Sequence, residues 1–468
     1  MMISASHELP PGLSEWMSRQ RWYGSKGREP QLRELGAWDL IDDRVGVAIR
    51  TFLLLDETAG STTIYQVPLT FRQAPLTGYE HALIGTQVSV DSAEEHVYDG
   101  PQDPAYARAL LQFIYGDQSA NGNATLIFAT GHRQPGVQPA EVAASRVLSG
   151  EQSNTSIIYE LTDANGNRQA PVICKVFRAL RGGENPDVVT QSALAAAGCA
   201  LVPQPVGYVA GQWPDPREES GQASGHLAFA QEFLPGVEDA WRVALSAIAA
   251  DADFTAQARA LGEATAEVHE TLANVMPTSE ATPEVIALIL ASMRRRQQDA
   301  ENADPSIAED HDAIEGLFAA AEASEWPQLQ RIHGDYHLGQ VVAVPDRGWV
   351  LLDFEGEPLR PMSERNLPDS TLRDLAGMLR SFDYVAGSYQ QAHPQDPRNE
   401  WASAAREAFI SGYVQRSGFD LRRYAAPLDA FEIDKALYEA VYEARNRPAW
   451  LSIPETAIRR IANRPRGK

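Results

Sequence analysis

The chain has 468 residues, of which 44% are apolar and 22% charged, a composition typical of a globular protein with two or three domains. Its net charge of −23 disfavours nucleic acids and anionic lipids as general partners, so an anionic ligand needs a local basic site. Two cysteines, Cys174 and Cys199, exclude a disulfide framework and a thiolate metal site. With no signal-like start and no long apolar run, the sequence predicts a cytoplasmic protein.

The first ninety or so residues predict a small β-rich unit. Residues 13–28 predict a short helix with an aromatic and basic turn, and the apolar runs 46–57 and 62–72 predict strands. Pro68 predicts that the second of these is an edge or bulged strand, because proline has no N–H to donate. A helical pattern follows at 105–116.

Strand patterns return between residues 150 and 236, and beyond residue 237 the chain becomes rich in alanine and helical. Two long helices are marked by apolar residues at helical spacing. The residues on these two faces are Phe254, Leu261, Val268 and Leu272 for the first, and Leu372, Leu375, Leu379 and Phe382 for the second. The layout is therefore a strand-rich N-terminal half followed by a helical C-terminal half.

The segment 331–358 predicts a β-hairpin with acidic residues at its mouths, set within the helical half. Asp335, Gln340 and Asp353 are spaced so that they converge at one end of this hairpin. Like charges repel unless a positive group lies between them, and a divalent metal with phosphate would satisfy that requirement.

Lys175 lies in the middle of the apolar strand PVICKVF, where a buried lysine is costly unless it is paired. The preceding segment 149–160 is rich in hydroxyl and amide groups and predicts a polar turn between strands that donates to phosphate oxygens. The chain contains no GxxxxGK[ST] motif, which disfavours a P-loop nucleotidase.

Six motifs resemble those of bacterial maltokinases, a family of protein-kinase-like small-molecule phosphotransferases, and they occur in the same order. They are QRWYGSKGR, EQSNTSIIYE, HLGQ, DFEGEP, LRDLAGMLRSFDY and YEARNRPAWL. The resemblance implies an α+β, bilobal protein-kinase-like fold with a β-rich N-terminal cap and N-lobe and a mostly helical C-lobe. The expected parts are a cap at 1–92, an N-lobe with the ATP-binding sheet at 93–236, and a C-lobe with the catalytic loop and sugar site at 237–468.

The resemblance also implies an activity, namely ATP-dependent phosphorylation of maltose to maltose 1-phosphate for α-glucan synthesis, in a pathway where trehalose synthase is the implied partner. Asp335 would orient and deprotonate the sugar hydroxyl, as the catalytic-loop aspartate of a kinase does. Gln340 and Asp353 would ligate Mg²⁺ through oxygen atoms.

The nucleotide would contact three parts of the strand-rich half. Lys175 would contact the α- and β-phosphates of ATP. A turn would lie over the phosphates, formed by Gln152, Ser153, Asn154, Thr155 and Ser156. A hinge segment would present backbone groups to adenine, formed by Glu232, Phe233 and Leu234.

Kinase sites of this kind pair the strand lysine with an acid on the following helix. In this chain the expected position holds Val189, and Asp187 and Glu184 are the nearest acids. The sequence therefore leaves the identity of the partner of Lys175 open between these two.

A helix predicted at 435–446 carries aromatic and charged side chains on one face, which suits a sugar with C–H faces and hydroxyl edges; the alternative is that the tyrosines are core residues. His337 either bonds the sugar or braces the loop, and His333 is expected to be a brace. The residues predicted to contact the acceptor are His337, Glu355, Lys435, Tyr438, Tyr442, Glu443, Asn446, Arg447 and Trp450.

Three alternative functions compete with this interpretation. The first is a kinase of the same fold for another acceptor, such as glucosamine or an aminoglycoside. The second is a non-catalytic binding module, which predicts loss of Lys175, Asp335 or Asp353, although all three are present. The third is a metallohydrolase that uses His333, Asp335 and His337, which leaves Lys175 unexplained.

Overall fold

The structure, a computed structural model, describes residues 9–42, 44, 46–58, 62–88, 92–123, 126–148, 153–357, 360, 362–396 and 398–464. The chain divides into two compact units. The first comprises the chain up to Val188 together with Gln204–Pro235, and the second comprises Val189–Pro203 and the chain from Gly236 onward. No helix within the described ranges is long and apolar enough to cross a membrane.

The first unit is rich in strands. Its strands in chain order are β1 (Leu32–Leu40), β2 (Ala48–Asp56), β3 (Thr63–Arg72), β4 (Leu83–Val88), β5 (Glu94–Asp99), β6 (Ser119–Asn121), β7 (Phe128–Arg133), β8 (Glu141–Val147), β9 (Asn154–Thr162), β10 (Arg168–Phe177), β11 (Ala179–Leu180), β12 (Pro205–Pro214) and β13 (Gln222–Glu232). Its helices are α1 (Leu13–Arg19), α2 (Pro104–Tyr115) and the start of α3 (Pro186–Ala196), within which the chain enters the second unit.

The strands of the first unit form two antiparallel sheets. One has the order β1-β2-β3-β5-β4 with β11 on β3, and the other has the order β6-β7-β12-β13-β10-β9-β8. Apolar residues of α2 and of both sheets, including Leu110, Ile114 and Trp213, form one buried cluster. This packing places β10, which carries Lys175, between β9 and β13.

The prediction of an edge or bulged strand at Pro68 is wrong. Pro68 is buried in β3, which lies inside its sheet, and it pairs with Thr51 of β2 in a regular register. On the other side of β3, pairing with β5 begins at Leu69 and pairing with β11 covers Ile64 and Tyr65. On that side of β3, Pro68 lies between the residues that pair with β11 and those that pair with β5. The N–H that proline lacks is therefore not needed for a hydrogen bond between strands.

The second unit is mostly helical. Its elements are β14 (Glu238–Asp239), α4 (Ala240–Ala249), α5 (Thr255–Val275), α6 (Pro283–Ala303), α7 (His311–Glu322), β15 (Val341–Val344), β16 (Gly348–Leu351), α8 (Met362–Arg365), α9 (Thr371–Ala392), α10 (Asn399–Ser417), α11 (Ala425–Asn446) and α12 (Ser452–Ala462). The strands β14, β15 and β16 form a small antiparallel sheet that contains the predicted hairpin.

The core of the second unit is built from the helix faces that the sequence predicts. Both predicted apolar faces, on α5 and α9, are buried in a single cluster. Helices α5 and α10 approach closely at Gly262 and Gly412, where an added Cβ atom would lie 2.0 Å from Phe409 O and 2.1 Å from Arg259 O respectively. The predicted α+β class, with strands first and helices after them, is confirmed.

Candidate active site

The loop between α7 and β15 is held in place by a buried carboxylate. Asp374 of α9 accepts hydrogen bonds from the backbone N–H groups of His333 and Gly334, at 2.8 and 2.9 Å. Gly334 has a φ of 85°, a conformation that glycine adopts without strain. The loop that presents Asp335 is therefore fixed to α9 on its N-terminal side.

Asp374 is itself held by a second buried group. His269 of α5 lies 2.9 Å from Asp374 through Nε2, and its Nδ1 lies 3.1 Å from the Tyr413 hydroxyl. Burial alone would raise the pKa of Asp374, but His269, the nearby His333 and the Gly334 N–H lower it below its usual range. Asp374 is therefore ionised and ready to accept both loop N–H groups.

Asp335 belongs to a chain of alternating charges inside the second unit. Lys435 Nζ lies 3.1 Å from Asp335 Oδ1 and 2.7 Å from Glu357 Oε1. Arg296 Nη1 lies 3.8 Å from Glu357 Oε2. Lys435 thus contacts one carboxylate oxygen of Asp335, and this contact restricts the orientation of the carboxylate.

Glu357 is the most deeply buried member of this chain, with 3% of its surface exposed. Burial alone would raise the pKa of Glu357, but Lys435, Arg296 and Arg373 lower it to about 2. Burial would likewise lower the pKa of Lys435, but Glu357 and Asp335 raise it well above its usual range. Both groups are therefore charged at neutral pH.

Two predicted metal ligands lie together at the end of the hairpin. Gln340 ends the turn before β15, and its Nε2 donates to Asp353 Oδ2 over 3.3 Å. Asp353 follows β16 with a φ of 61°, which is uncommon for a residue other than glycine. An amide oxygen and a carboxylate at one hairpin end fit a hard cation such as Mg²⁺, once the amide turns its oxygen toward the ion.

A cavity of about 440 Å³ opens onto Asp335. The helix α11 provides one wall with side chains at helical spacing, and α9 provides another with Gly377, Ser381 and Tyr384. The predicted acceptor residues that line it are His337, Lys435, Tyr438, Tyr442, Glu443, Arg447 and Trp450.

Two predicted acceptor residues are not among those that line the cavity. Asn446 is exposed, and its side chain donates to the backbone carbonyl of Tyr442 over 2.9 Å. Glu355 lies at the acidic tip after β16 and is half-buried. The prediction that Asn446 and Glu355 line the same cavity as the other acceptor residues is therefore wrong.

The carboxylates that line the cavity are paired with cations. Glu439 accepts hydrogen bonds from Arg380 over 2.7 and 2.9 Å. Glu443 accepts from Arg447 over 2.9 Å, and the Tyr384 hydroxyl also donates to it over 3.2 Å. Lys435 pairs with Asp335 in the same way. Each of the three carboxylates that line the cavity therefore has a positive partner within the second unit, and the net charge of the lining is close to zero.

In the first unit, Lys175 has the acidic partner that the sequence left open. Lys175 Nζ lies 2.9 Å from Asp187 Oδ2, and the Asp187 side chain is fully buried. Asp187 lies in the first turn of α3, and its backbone N–H donates to the Asn185 side chain over 2.9 Å. The half-buried lysine is thus charge-paired, and of the two candidates it is Asp187 that makes the contact.

The predicted phosphate-covering turn is shorter than expected. Asn154, Thr155 and Ser156 lie in β9 and not in a turn, with Ser156 paired to Lys175 in register. Thr155 and Ser156 are buried, and Thr155 Oγ1 accepts from Arg178 Nε over 2.8 Å. Gln152 lies outside the described residues, and Ser153 lies before the strand. The prediction of a turn is wrong for Asn154, Thr155 and Ser156, because the pairing of β9 with β10 extends to Asn154, the first residue of β9.

The predicted hinge begins at Glu232, the last residue of β13. The N–H of Glu232 donates to Gln204 O over 2.8 Å, and the N–H of Phe233 donates to Pro171 O over 2.9 Å. Both N–H groups are therefore already hydrogen-bonded inside the first unit, and the adenine contact stays a prediction.

Comparison with known proteins identifies the family. The profile of the Phosphotransferase enzyme family matches residues 146–428, and that of the Maltokinase N-terminal cap domain matches residues 16–103. The chain belongs to this phosphotransferase enzyme family. The predicted membership in the small-molecule phosphotransferases, the predicted maltokinase-type cap and the protein-kinase-like fold are confirmed.

Among relatives of this phosphotransferase are two named glucosamine kinase. The one from Mycolicibacterium smegmatis is 27% identical over 395 residues, covering 77% of this chain and 88% of the relative. The one from Streptacidiphilus jiangxiensis is 25% identical over 348 residues, covering 68% and 74%. A solved structure of a glucosamine kinase in complex with glucosamine, ADP and inorganic phosphate is similar with a TM-score of 0.64 and 20% identity, covering 96% of this chain and 99% of that chain.

The two loop histidines of this phosphotransferase have different surroundings. His333 is buried, and its Nε2 lies 2.8 Å from Leu352 O while its Nδ1 accepts the Asp335 N–H over 3.4 Å, so both ring nitrogens are in use. His337 lines the cavity, and its Nδ1 accepts the Gly339 N–H over 3.0 Å. Burial lowers the pKa of His337, which favours the neutral ring. His333 therefore holds the loop in place, and the metallohydrolase alternative loses His333 as one of its proposed metal ligands.

The sequence prediction missed several groups around the cavity of this phosphotransferase. Tyr384, Ser381 and Gly377 recur every three or four residues in LRDLAGMLRSFDY, opposite the apolar face of α9, and that spacing is a usable signal. Glu439 lies on the predicted sugar helix but was not assigned to the site. Glu357 gave no local signal, because its partner Lys435 is 78 residues away.

Proposed function

We propose that the protein is an ATP-dependent sugar kinase that phosphorylates maltose at its anomeric hydroxyl to give maltose 1-phosphate. The observation that carries this proposal is the cavity at Asp335, whose wall joins aromatic rings with carboxylates that already have cationic partners. Aromatic faces suit the C–H faces of a sugar, and a neutral wall suits a neutral acceptor.

In the proposed reaction, Asp335 accepts the proton of the sugar hydroxyl as the hydroxyl oxygen attacks the γ-phosphorus of ATP. The bond between the γ-phosphorus and the bridging oxygen breaks, and ADP leaves with that oxygen. Lys435, 3.1 Å from one Asp335 oxygen, holds the carboxylate so that the other oxygen faces the acceptor. Catalysis then consists mostly of positioning and charge neutralisation.

The remaining assignments concern the nucleotide. Gln340 and Asp353 would hold Mg²⁺, which supplies positive charge to the phosphates of ATP when it is bound. Lys175, paired with Asp187, would contact the α- and β-phosphates. The segment 232–234 would receive adenine, and Ser153 would lie over the phosphates.

Glucosamine is the second candidate acceptor, because both curated relatives and the solved structure carry that name. Its ammonium group would favour an unpaired carboxylate in the cavity. Glu439 and Glu443 are each bound to an arginine, so the amino sugar would have to compete with Arg380 or Arg447. This competition is the physical reason for ranking maltose first.

Steady-state kinetics with a panel of acceptors tests the proposal. We expect kcat/KM with ATP and Mg²⁺ to be highest for maltose, and lower for glucose, glucosamine and kanamycin. A preference of tenfold or more for glucosamine would overturn the maltose assignment and leave the kinase assignment in place. Absence of turnover with every sugar would overturn both. The trehalose synthase partner implied by the resemblance stays a prediction.

A further inference from the structure

A second cavity in the second unit lies on another side of Tyr438. It has a volume of about 250 Å³, and its lining includes Arg295, Arg296, Arg360, Arg445, Ser292 and Tyr438. We call it the arginine cavity. Tyr438 also lines the cavity at Asp335, so one side chain borders both spaces.

Two helices, α6 and α11, provide most of the lining of the arginine cavity. Ser292 and Arg295, three apart on α6, face the same space as Tyr438 and Arg445 on α11, which are seven apart. The two helices pack against each other along the core of the second unit. Arg295, Arg296 and Arg445 are therefore brought together by two packed helices, whereas Arg360 lies before α8.

Two of the four arginines have acidic partners close by. Arg296 Nε lies 2.7 Å from Asp434 Oδ1, and Arg360 Nη1 lies 3.1 Å from Asp369 Oδ2. Within the described residues, neither Arg295 nor Arg445 has a hydrogen bond or an ion pair from its side chain, and both are exposed. The two partnerless guanidinium groups thus face a common cavity.

Two carboxylates also line the arginine cavity. They are Asp299 and Glu364, and Glu364 lies 3.8 Å from Arg360. Because Arg296 and Arg360 already have acidic partners, the guanidinium groups that remain to bind an anion are those of Arg295 and Arg445. In a protein with a net charge of −23, an anionic ligand needs such a local group of cations.

We propose that the arginine cavity binds the phosphate group of a sugar phosphate. A guanidinium fork donates two parallel hydrogen bonds to phosphate, and a phosphate monoester carries close to two negative charges at neutral pH. The cavity is larger than a bare phosphate, and the hydroxyl groups of Ser292 and Tyr438 provide partners for sugar hydroxyls. The site is separate from the acceptor cavity and does not depend on which sugar is the acceptor.

Calorimetric titration of the whole protein, with ADP and Mg²⁺ in excess to fill the nucleotide site, tests this proposal. The probes are glucose 1-phosphate and inorganic phosphate. We compare the wild type with the double variant Arg295→Gln/Arg445→Gln and with Arg422→Gln, a control at an exposed arginine outside the cavity. We expect the double variant to weaken glucose 1-phosphate binding at least tenfold, and the control to leave it unchanged.

Three outcomes would overturn the proposal. Equal affinity of the double variant and the wild type would place the phosphate elsewhere. Inorganic phosphate binding as tightly as glucose 1-phosphate would show that the sugar makes no contact. A raised KM for the acceptor in the double variant, measured without added phosphate, would assign these arginines to the acceptor site. Unchanged kcat and KM in that last assay, with lost phosphate binding, supports a separate site.

Discussion

At the scale of single residues, the charge pairs around Asp335 determine how its carboxylate is presented. Lys435 lies between Asp335 and Glu357, and Arg296 lies beyond Glu357. A buried carboxylate without its cation is strongly destabilising, so each member of this chain depends on the next one. The predictions at this scale therefore concern removal of one charge at a time.

Replacing Asp335 by Asn should abolish most turnover while nucleotide binding is kept. The amide cannot accept the proton of the sugar hydroxyl, and loss of a general base costs about 10²-fold or more in kcat. Measuring kcat together with the Kd for the nucleotide separates the two effects. Asp353→Asn is the matched comparison and should weaken Mg²⁺–ATP binding. A near-normal kcat in Asp335→Asn would show that Asp335 is not the general base.

Replacing Glu357 by Gln should change how stability depends on pH. The folded pKa of Glu357 is about 2, below the value near 4.3 of an unfolded glutamate, so its stabilisation is fully present above about pH 5. It is lost as the pH falls from about 4.3 toward 2. The shift corresponds to a free energy on the order of 3 kcal/mol.

The unfolding free energies of wild type and Glu357→Gln, measured from pH 7 down to pH 3, test this dependence. Their difference should be largest at neutral pH and should shrink on acidification. Glu280→Gln is a control at an exposed glutamate and should leave stability nearly unchanged at every pH. A constant difference between pH 7 and pH 3 for Glu357→Gln would contradict the charge pairing.

How far single residues can be predicted depends on whether their signal is local. Asp335, Gln340 and Asp353 stand in short motifs, and Lys175 is conspicuous in an apolar strand. The partner of Lys435 at Glu357 is not visible in this way, because their pairing depends on how α11 packs against the loop after β16. Long-range ion pairs follow from tertiary packing, which a local pattern does not encode.

At the scale of elements, α9 and α11 provide two walls of the cavity at Asp335. The α11 side chains at helical spacing were predictable, and the structure places most of them in the cavity. The exception is Asn446 at the helix end, where its side chain turns to the backbone of its own last turn. The turn predicted at 154–156 failed for a related reason, since strand pairing with β10 overrode the turn-forming residues.

Truncating Tyr438 or Trp450 to Ala should raise the KM for maltose and leave that for ATP nearly unchanged. Both rings line the cavity, and Arg447 lies over the Trp450 ring at 4.8 Å. The expected loss is on the order of 1–3 kcal/mol for each ring, as for a binding hot spot. Tyr438→Phe keeps the ring and should stay close to wild type. Equal changes in the KM values for maltose and for ATP would indicate that Tyr438 and Trp450 are core residues and do not bind the sugar.

Replacing Gly377 by Ala should reduce turnover by displacing the catalytic loop. An added Cβ at Gly377 would lie 2.5 Å from the Tyr336 carbonyl oxygen, next to Asp335 in sequence. Gly387→Ala, in the same helix, is the matched control, since the three atoms nearest its added Cβ all belong to the Ile453 side chain, the closest at 2.9 Å. Both changes favour the helix by about 1 kcal/mol. Equal kcat values in the two variants would contradict the loop contact.

At the scale of the whole molecule, the chain divides its tasks between the two compact units. The first carries Lys175 on a sheet with its partner Asp187, and the second carries Asp335 and the cavity beside it among helices. The order of strands and helices was predictable from apolar spacing. The path of the chain was not, because Val189–Pro203 belongs to the second unit although strands of the first unit follow it.

The measurement that tests the central claim most directly is the position of the new phosphate. The protein is incubated with ATP, Mg²⁺ and equal concentrations of maltose and glucosamine, and the product is analysed by ¹H–³¹P correlation NMR. The proposed function predicts a phosphorus signal coupled to the anomeric proton of the reducing glucose of maltose. A signal coupled to protons of glucosamine would contradict it.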